Sequence, residues 1–217
     1  MKILRCNMQN LDKKSEYQGP EIDEAISILN DNRLIVYPTD TLYGLGADPF
    51  SEIAMTRLYN AKKRPPTMPV PIAVHDLEMA GNLAYIDDRA RILFDKFMPG
   101  KLTIVLPKKE VLPDFATAYL KNVGLRIPAH PFVLGLTKKF GPITATSANV
   151  HAQEEPHDIK TAYEQLGESV DLYLDCGVLG TSKPSTIVDL TGKKMRVIRE
   201  GAISISDIDK VLSNIES

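Results

Sequence analysis

Apolar residues along this chain alternate between two spacings, and no other feature narrows the fold as much. In the first spacing they recur on one face of a helix. Ile22, Ala25, Ile26 and Leu29 follow Pro20, a residue suited to a first helical turn. In the second they form short runs, as strands do. Leu34–Tyr37 is such a run, stopped by Pro38. Thr39–Phe50, with Gly44, Gly46 and Pro49, reads as a loop. Ser51 can cap a helix to about Lys62, with Ile53, Leu58 and Ala61 inward. Lys63–Pro69 holds three prolines and cannot be regular structure. Val70–Val74 reads as a strand, and Asp87 or Asp88 caps a helix ended by Pro99-Gly100. Leu102–Leu106 and the alternating Val123, Leu125 and Ile127 read as strands. A helix follows Pro131, Ile143–Thr146 is a further strand, and Asp158 caps a helix ending near Gly167. Leu172–Leu174, Thr186–Leu190 and Met195–Arg199 are strands, the last two joined as a hairpin through Thr191-Gly192. Ile208, Val211, Leu212 and Ile215 make a closing helix. Interspersed helices and strands with one late hairpin predict an α/β fold with a mixed sheet. No linker or repeat divides the 217 residues, so one domain is expected.

Composition excludes several classes. Hydrophobic residues make up 43% and charged residues 25%, which argues against disorder. A net charge of −2 excludes a surface that is uniformly basic, though not a local basic pocket. Two cysteines, Cys6 and Cys176, are too few for a disulfide framework and lack metal-ligand spacing. They read as two reduced thiols of a cytoplasmic protein. The four histidines show no ligand pattern. Met1–Lys14 has no signal-peptide core, and no apolar run approaches a membrane span. The glycine cradle of P-loop enzymes is absent, and Gly44-Leu45-Gly46 lacks the third glycine of a dinucleotide turn.

What remains is a set of polar residues at strand and helix ends, where open α/β sheets bind ligands. Lys62 or Lys63, Arg64 and Arg199 are separated cations of the kind a triphosphate needs. Arg126, on the minority face of its strand, offers a planar fork suited to a carboxylate. Each has a plainer reading. Lys62-Lys63-Arg64 could complement a helix dipole, Ser147 and Asn149 could be turn formers, and Arg126 could be a surface ion-pair partner.

Taken in order, the blocks are more specific than any one of them. They are Tyr37-Pro38-Thr39-Asp40-Thr41-Leu42-Tyr43-Gly44-Leu45-Gly46, Lys62-Lys63-Arg64-Pro65, Pro99-Gly100-Lys101-Leu102-Thr103, Val123-Gly124-Leu125-Arg126-Ile127-Pro128, Thr146-Ser147-Ala148-Asn149, Pro184-Ser185-Thr186-Ile187-Val188-Asp189 and Ile198-Arg199-Glu200-Gly201-Ala202. The series resembles the YrdC-like family, the threonylcarbamoyl-AMP synthases, over roughly Glu21 to Val211. The resemblance implies a twisted mixed parallel and antiparallel sheet, with flanking helices, around a large concave cavity. It implies an enzyme that joins L-threonine, bicarbonate and ATP into threonylcarbamoyl-AMP and releases pyrophosphate. Lys62 and Arg64 match the family's KxR, and Ser147 and Asn149 its SxN; with Arg199 they would hold ATP, Lys62 and Arg64 acting in catalysis. Thr41, His75, Arg126 and Ser185 match the threonine side. Mg²⁺ would be held mainly by phosphates, without a protein metal site. The product would pass to a tRNA threonylcarbamoyl-transferase complex. The family also implies an alternative, an RNA-binding paralogue without synthase activity, against which the acidic balance weighs. Two departures from the family pattern stand out: Val70 in place of a polar residue, and His151-Ala152 after Asn149.

Overall fold

A computed structural model describes residues 2–6, 16–180 and 182–213. In chain order the elements are β1 (Lys2–Arg5), α1 (Pro20–Asn30), β2 (Ile35–Pro38), β3 (Tyr43–Gly46), α2 (Glu52–Lys62), β4 (Ile72–Ala73), α3 (Leu77–Leu83), α4 (Asp88–Phe97), β5 (Leu102–Pro107), β6 (Asn122–Arg126), α5 (Pro131–Phe140), β7 (Ile143–Thr144), β8 (Thr146–Ser147), α6 (Ile159–Leu166), β9 (Leu172–Asp175), β10 (Thr186–Asp189), β11 (Arg196–Arg199) and α7 (Ile205–Ser213). Pairing is both parallel and antiparallel and helices flank the strands, as an α/β reading requires. The strands divide between two sheets. One has five strands in the order β1-β9-β2-β3-β8, the other six in the order β11-β10-β5-β6-β4-β7. No helix among the described residues is long and apolar enough to cross a membrane.

Local signals explain most helix starts. Ser51, Asp76, Asp87 and Asp158 each accept a hydrogen bond from a backbone N–H in the first turn of α2, α3, α4 and α6. Pro20 and Pro131 open α1 and α5. Alternation along β5 and β6 sends Leu102, Ile104, Leu106, Val123 and Leu125 into a core shared with α4 and α7. Thr103, Val105, Asn122, Gly124 and Arg126 face the opposite way, into a cavity.

Several expectations change. Ile53 is 63% exposed, so the inner face of α2 runs through Ala54, Met55, Leu58 and Ala61 instead. The Val70–Val74 strand shortens to Ile72–Ala73. Leu190–Met195 links β10 to β11 as a longer connection than a two-residue turn. Ile215 of the closing helix lies outside the described residues. The Ile143–Thr146 strand breaks at Ala145, and its halves join different sheets: β7 pairs with β4, whereas β8 pairs with β3. This short segment ties the sheets together. Ala145 N–H bonds Pro71 O at 2.7 Å, and Ala148 N–H bonds Tyr43 O at 2.8 Å.

The largest change is β3, which lies inside the expected loop. Gly44 and Gly46 sit there because the fully buried Tyr37 ring lies against them from β2. A Cβ on Gly44 would meet Tyr37 Cζ at 2.9 Å, and one on Gly46 would meet Ile35 Cγ1 at 2.8 Å. The ring cannot easily yield, since its hydroxyl donates to Thr144 O at 2.8 Å. Gly44→Ala is therefore expected to destabilise the chain by about 1–3 kcal/mol through overpacking. Thermal melting should show a drop of roughly 2–10 °C; an unchanged midpoint would mean that the ring moves freely.

Candidate active site

A cavity of about 660 Å³ lies between the two sheets, lined by residues of both. Its basic end is set by the C-terminus of α2. Lys63 closes that helix in the left-handed region at φ 48°, which turns the chain into the proline loop. Lys62 is 1% exposed and does not stay at its own helix end. Its Nζ crosses to the turn after β8 and donates to Ser147 O at 2.5 Å, Asn149 O at 2.9 Å and Asn149 Oδ1 at 3.2 Å. The helix-dipole reading of Lys62 is thereby displaced. Burial, and after it the like charge of Arg64, lower the Lys62 pKa to about 7, against an opposing effect of Glu155. Arg64 folds over the proline loop, with Nε to Met68 O and Nη2 to Pro69 O, each at 3.1 Å. Its Nη1 lies 3.4 Å from His151 Nδ1.

Ser147 and Asn149 are linked to each other, Ser147 Oγ donating to Asn149 Oδ1 at 2.6 Å. Asn149 Nδ2 donates to Gln153 O at 2.7 Å. Both residues line the cavity. Across it, Arg199 donates to Ser185 O from Nε at 3.1 Å and from Nη2 at 2.9 Å. Gly201 makes that approach possible, since a Cβ there would run into the backbone of Pro184 and Ser185. Ser185 Oγ bonds Thr103 Oγ1 at 3.1 Å and Arg199 Nη2 at 3.3 Å. A hydroxyl supports three hydrogen bonds, so one position on Ser185 stays open.

Arg126 is 7% exposed and lines the cavity while Val123, Leu125 and Ile127 enter the core. It is an ion-pair partner, but a buried one. Its Nε donates to Gly100 O at 2.9 Å, Nη1 to Thr41 Oγ1 at 3.2 Å and Nη2 to Asp40 Oδ1 at 2.7 Å. Of five N–H groups, one on each terminal nitrogen is left. Thr41 Oγ1 also bonds Thr39 Oγ1 at 3.0 Å, which leaves one open position on that hydroxyl too. The other Asp40 oxygen, Oδ2, is buried with no hydrogen-bond partner among the described residues. His130 sits near this pair. Burial, opposed by the Asp40 charge, lowers its pKa to about 4, so it stays neutral while Nδ1 accepts the Phe132 N–H at the start of α5.

Thr41, Lys62, Arg64, Arg126, Ser147, Asn149, Ser185 and Arg199 thus share one cavity. His75 is not on its lining. Its Nδ1 lies 3.1 Å from Leu134 O, and its Nε2 lies 3.7 Å from Glu16 and 3.9 Å from Asp76. Sequence reasoning left Asp40, Thr103, His151 and Glu155 without roles. Asp40 stands within a quoted block, but nothing in the spacing links it to Arg126. No group of three His, Cys, Asp or Glu side chains that could hold a metal occurs among the described residues. Of the lining carboxylates Glu155 and Asp189, the second is already engaged by Thr191 and Arg196. The donor set therefore does not fit a protein-held cation.

Residues 27–201 match the family model Sua5_yciO_yrdC, whose description is "Telomere recombination". The chain belongs to the Sua5/YciO/YrdC family. A relative from Methanocaldococcus jannaschii is 36% identical over 96% of this chain and 95% of its own. Threonylcarbamoyl-AMP synthase of Bacillus subtilis is 32% identical over 99% of this chain and 63% of its own length. Among solved structures, Pyrococcus abyssi Sua5 complexed with L-threonine superposes with a TM-score of 0.86 at 32% identity, covering 97% of this chain and 60% of that one. The two-sheet architecture around a cavity is thus a Sua5/YciO/YrdC fold.

Proposed function

We propose that this chain is an L-threonylcarbamoyladenylate synthase, converting L-threonine, bicarbonate and ATP to threonylcarbamoyl-AMP and pyrophosphate for tRNA modification. The observation that carries the reading is the single cavity in which Lys62 and Arg64, from the end of α2 and the loop after it, meet Arg126 and Arg199 of the six-stranded sheet beside short hydroxyl and amide side chains. The synthase name of the Bacillus subtilis relative and the threonine-bound Pyrococcus abyssi neighbour support it. Threonine enters with its carboxylate on the two open N–H groups of Arg126 and its hydroxyl near Thr41 and Ser185. Bicarbonate carboxylates the amine with loss of water, giving a carbamate. Its oxygen attacks the α-phosphorus of ATP, and pyrophosphate leaves. Lys62, Arg64 and Arg199, with Ser147 and Asn149, hold the phosphates. Positioning and charge stabilisation supply the rate, since no protein nucleophile is needed. His75 takes no part in this reading. Mg²⁺, where required, arrives bound to the nucleotide, and the adenylate passes to a tRNA-modifying complex. The test is pyrophosphate release from ATP that requires both threonine and bicarbonate, with the adenylate identified by mass. ATP turnover indifferent to threonine would refute the reading.

A proton signature follows from Lys62. In the folded chain its pKa is about 7, below the usual 10.5. Between those values the unfolded chain holds a proton that the folded one lacks, so stability through this group rises with pH across that window. A triphosphate beside Lys62 favours the charged form and raises its pKa. ATP binding near pH 8 is therefore expected to take up protons, approaching one per site, and Lys62→Met should abolish the uptake. Calorimetry in buffers of different ionisation enthalpy reads this directly. Proton release, or no exchange, would place the phosphates away from Lys62.

A further inference from the structure

The two cysteines stand 170 positions apart in sequence, yet the fold sets them side by side. β1 and β9 pair in parallel, with Arg5 opposite Asp175. Cys6 N–H bonds Asp175 O at 2.9 Å, the ladder bond that carries the register one step further and puts Cys6 opposite Cys176. Residues opposite each other in a parallel pair point to the same face, with neighbouring strands about 4.8 Å apart. That separation lies inside the roughly 4.4–6.8 Å range of Cα distances that a disulfide spans. Both residues are partly exposed. Cys6 acts on Cys176 as an acceptor that favours its protonated thiol, and this, together with burial, raises the Cys176 pKa. Cys176 also touches the cavity wall. Its N–H donates to Tyr43 Oη at 3.1 Å, and that hydroxyl donates to Gly177 O at 2.6 Å. Tyr43 is a lining residue.

We infer that Cys6 and Cys176 are a reversible dithiol that closes to a disulfide and clasps β1 onto the chain leaving β9. The oxidant is a low-molecular-weight disulfide of the glutathione type. One cysteine thiolate attacks it, forming a mixed disulfide and releasing one glutathione thiolate. The second cysteine, on losing its proton, displaces the other glutathione. Two S–H bonds and one S–S bond are lost, and one protein S–S bond and two glutathione thiols are gained. Both protein sulfurs are oxidised, and the two electrons end on glutathione. The closed form encloses most of the chain in one loop, which restricts the unfolded state and favours the folded one. Because the clasp lies outside the groups assigned to ATP and threonine, the inference stands independently of the proposed reaction.

The test equilibrates the full chain in buffers of increasing oxidised-to-reduced glutathione ratio. Free thiols are then blocked with N-ethylmaleimide, and unreduced peptides are mapped by mass spectrometry. The expected result is an intramolecular Cys6–Cys176 cross-link in monomeric protein, reversed by dithiothreitol. Thermal melting should rise by roughly 5–15 °C on closure. Cys6→Ser and Cys176→Ser should each show no rise, and a single glutathione adduct at most. Free thiols at the most oxidising ratio, glutathione adducts alone on the parent chain, or cross-links between chains would overturn the inference. So would a cross-link that lowers the melting point, since the sulfurs would then have been drawn out of their places to bond.

Discussion

Arg64→Ala is expected to lower threonine- and bicarbonate-dependent pyrophosphate release about 10²–10³-fold, the usual loss when one transition-state charge contact is removed. Arg64 is the cleanest of the cavity cations to remove. Its protein partners are two carbonyls of its own proline loop, Met68 O and Pro69 O, and His151 Nδ1, which water can satisfy in its absence. The melting temperature should therefore shift by a few degrees at most. Lys62→Ala should lose turnover as strongly but for two reasons together. It removes a cation, and it takes the Lys62 donor from Ser147 O and Asn149 O in a buried place, leaving Asn149 Oδ1 with Ser147 Oγ alone. Its melting point should fall as well. If Arg64→Ala retains activity within a few-fold of the parent, the guanidinium only ties down the loop, and the phosphates lie elsewhere.

Arg126→Lys is expected to raise KM for threonine about 10–10²-fold while KM for ATP changes little. Lysine keeps the charge, but a single ammonium cannot at once serve Gly100 O, Thr41 Oγ1 and Asp40 Oδ1 and also hold a carboxylate at two points. A parallel rise in both constants would show a general loss of the cavity rather than of its amino-acid end. The open positions on Thr41 and Ser185 bear on the choice of substrate. Serine keeps the hydroxyl and lacks a methyl, a difference of roughly 1–3 kcal/mol, or 10–200-fold. Valine loses the hydroxyl and would leave those polar positions unpaired, so its rejection should be stronger. The expected order of kcat/KM is threonine, serine, valine. Valine accepted as well as serine would mean that neither hydroxyl reads the side chain.

What the linear chain determined by itself is local. Helix starts follow from a capping side chain or a proline within a few residues, so Ser51, Asp87, Asp158, Pro20 and Pro131 marked them directly. The outward turn of Arg126 followed from the alternation of Val123, Leu125 and Ile127. The ordered blocks pointed to the family, because order along a chain is itself a sequence property. Tertiary structure decided whatever depends on a distant neighbour. Gly44 and Gly46 read as loop residues until the Tyr37 ring is placed against them. Ile143–Thr146 read as one strand because its period cannot show that Ala145 separates two sheets. Lys62 at a helix end looked exposed and dipolar, and only the approach of β8 buries it and lowers its pKa. His75 faces Glu16 and α5 and is apart from the residues that line the cavity, a placement its position in the chain could not show. Asp40 and Cys176 carried no signal of their partners, since Cys6 is brought to Cys176 by the pairing of β1 with β9, and Arg126 to Asp40 by the meeting of the two sheets around the cavity. Hydrogen bonds, ion pairs and desolvation act over a few ångströms of space, and chain separation does not encode that distance until the sheets have formed.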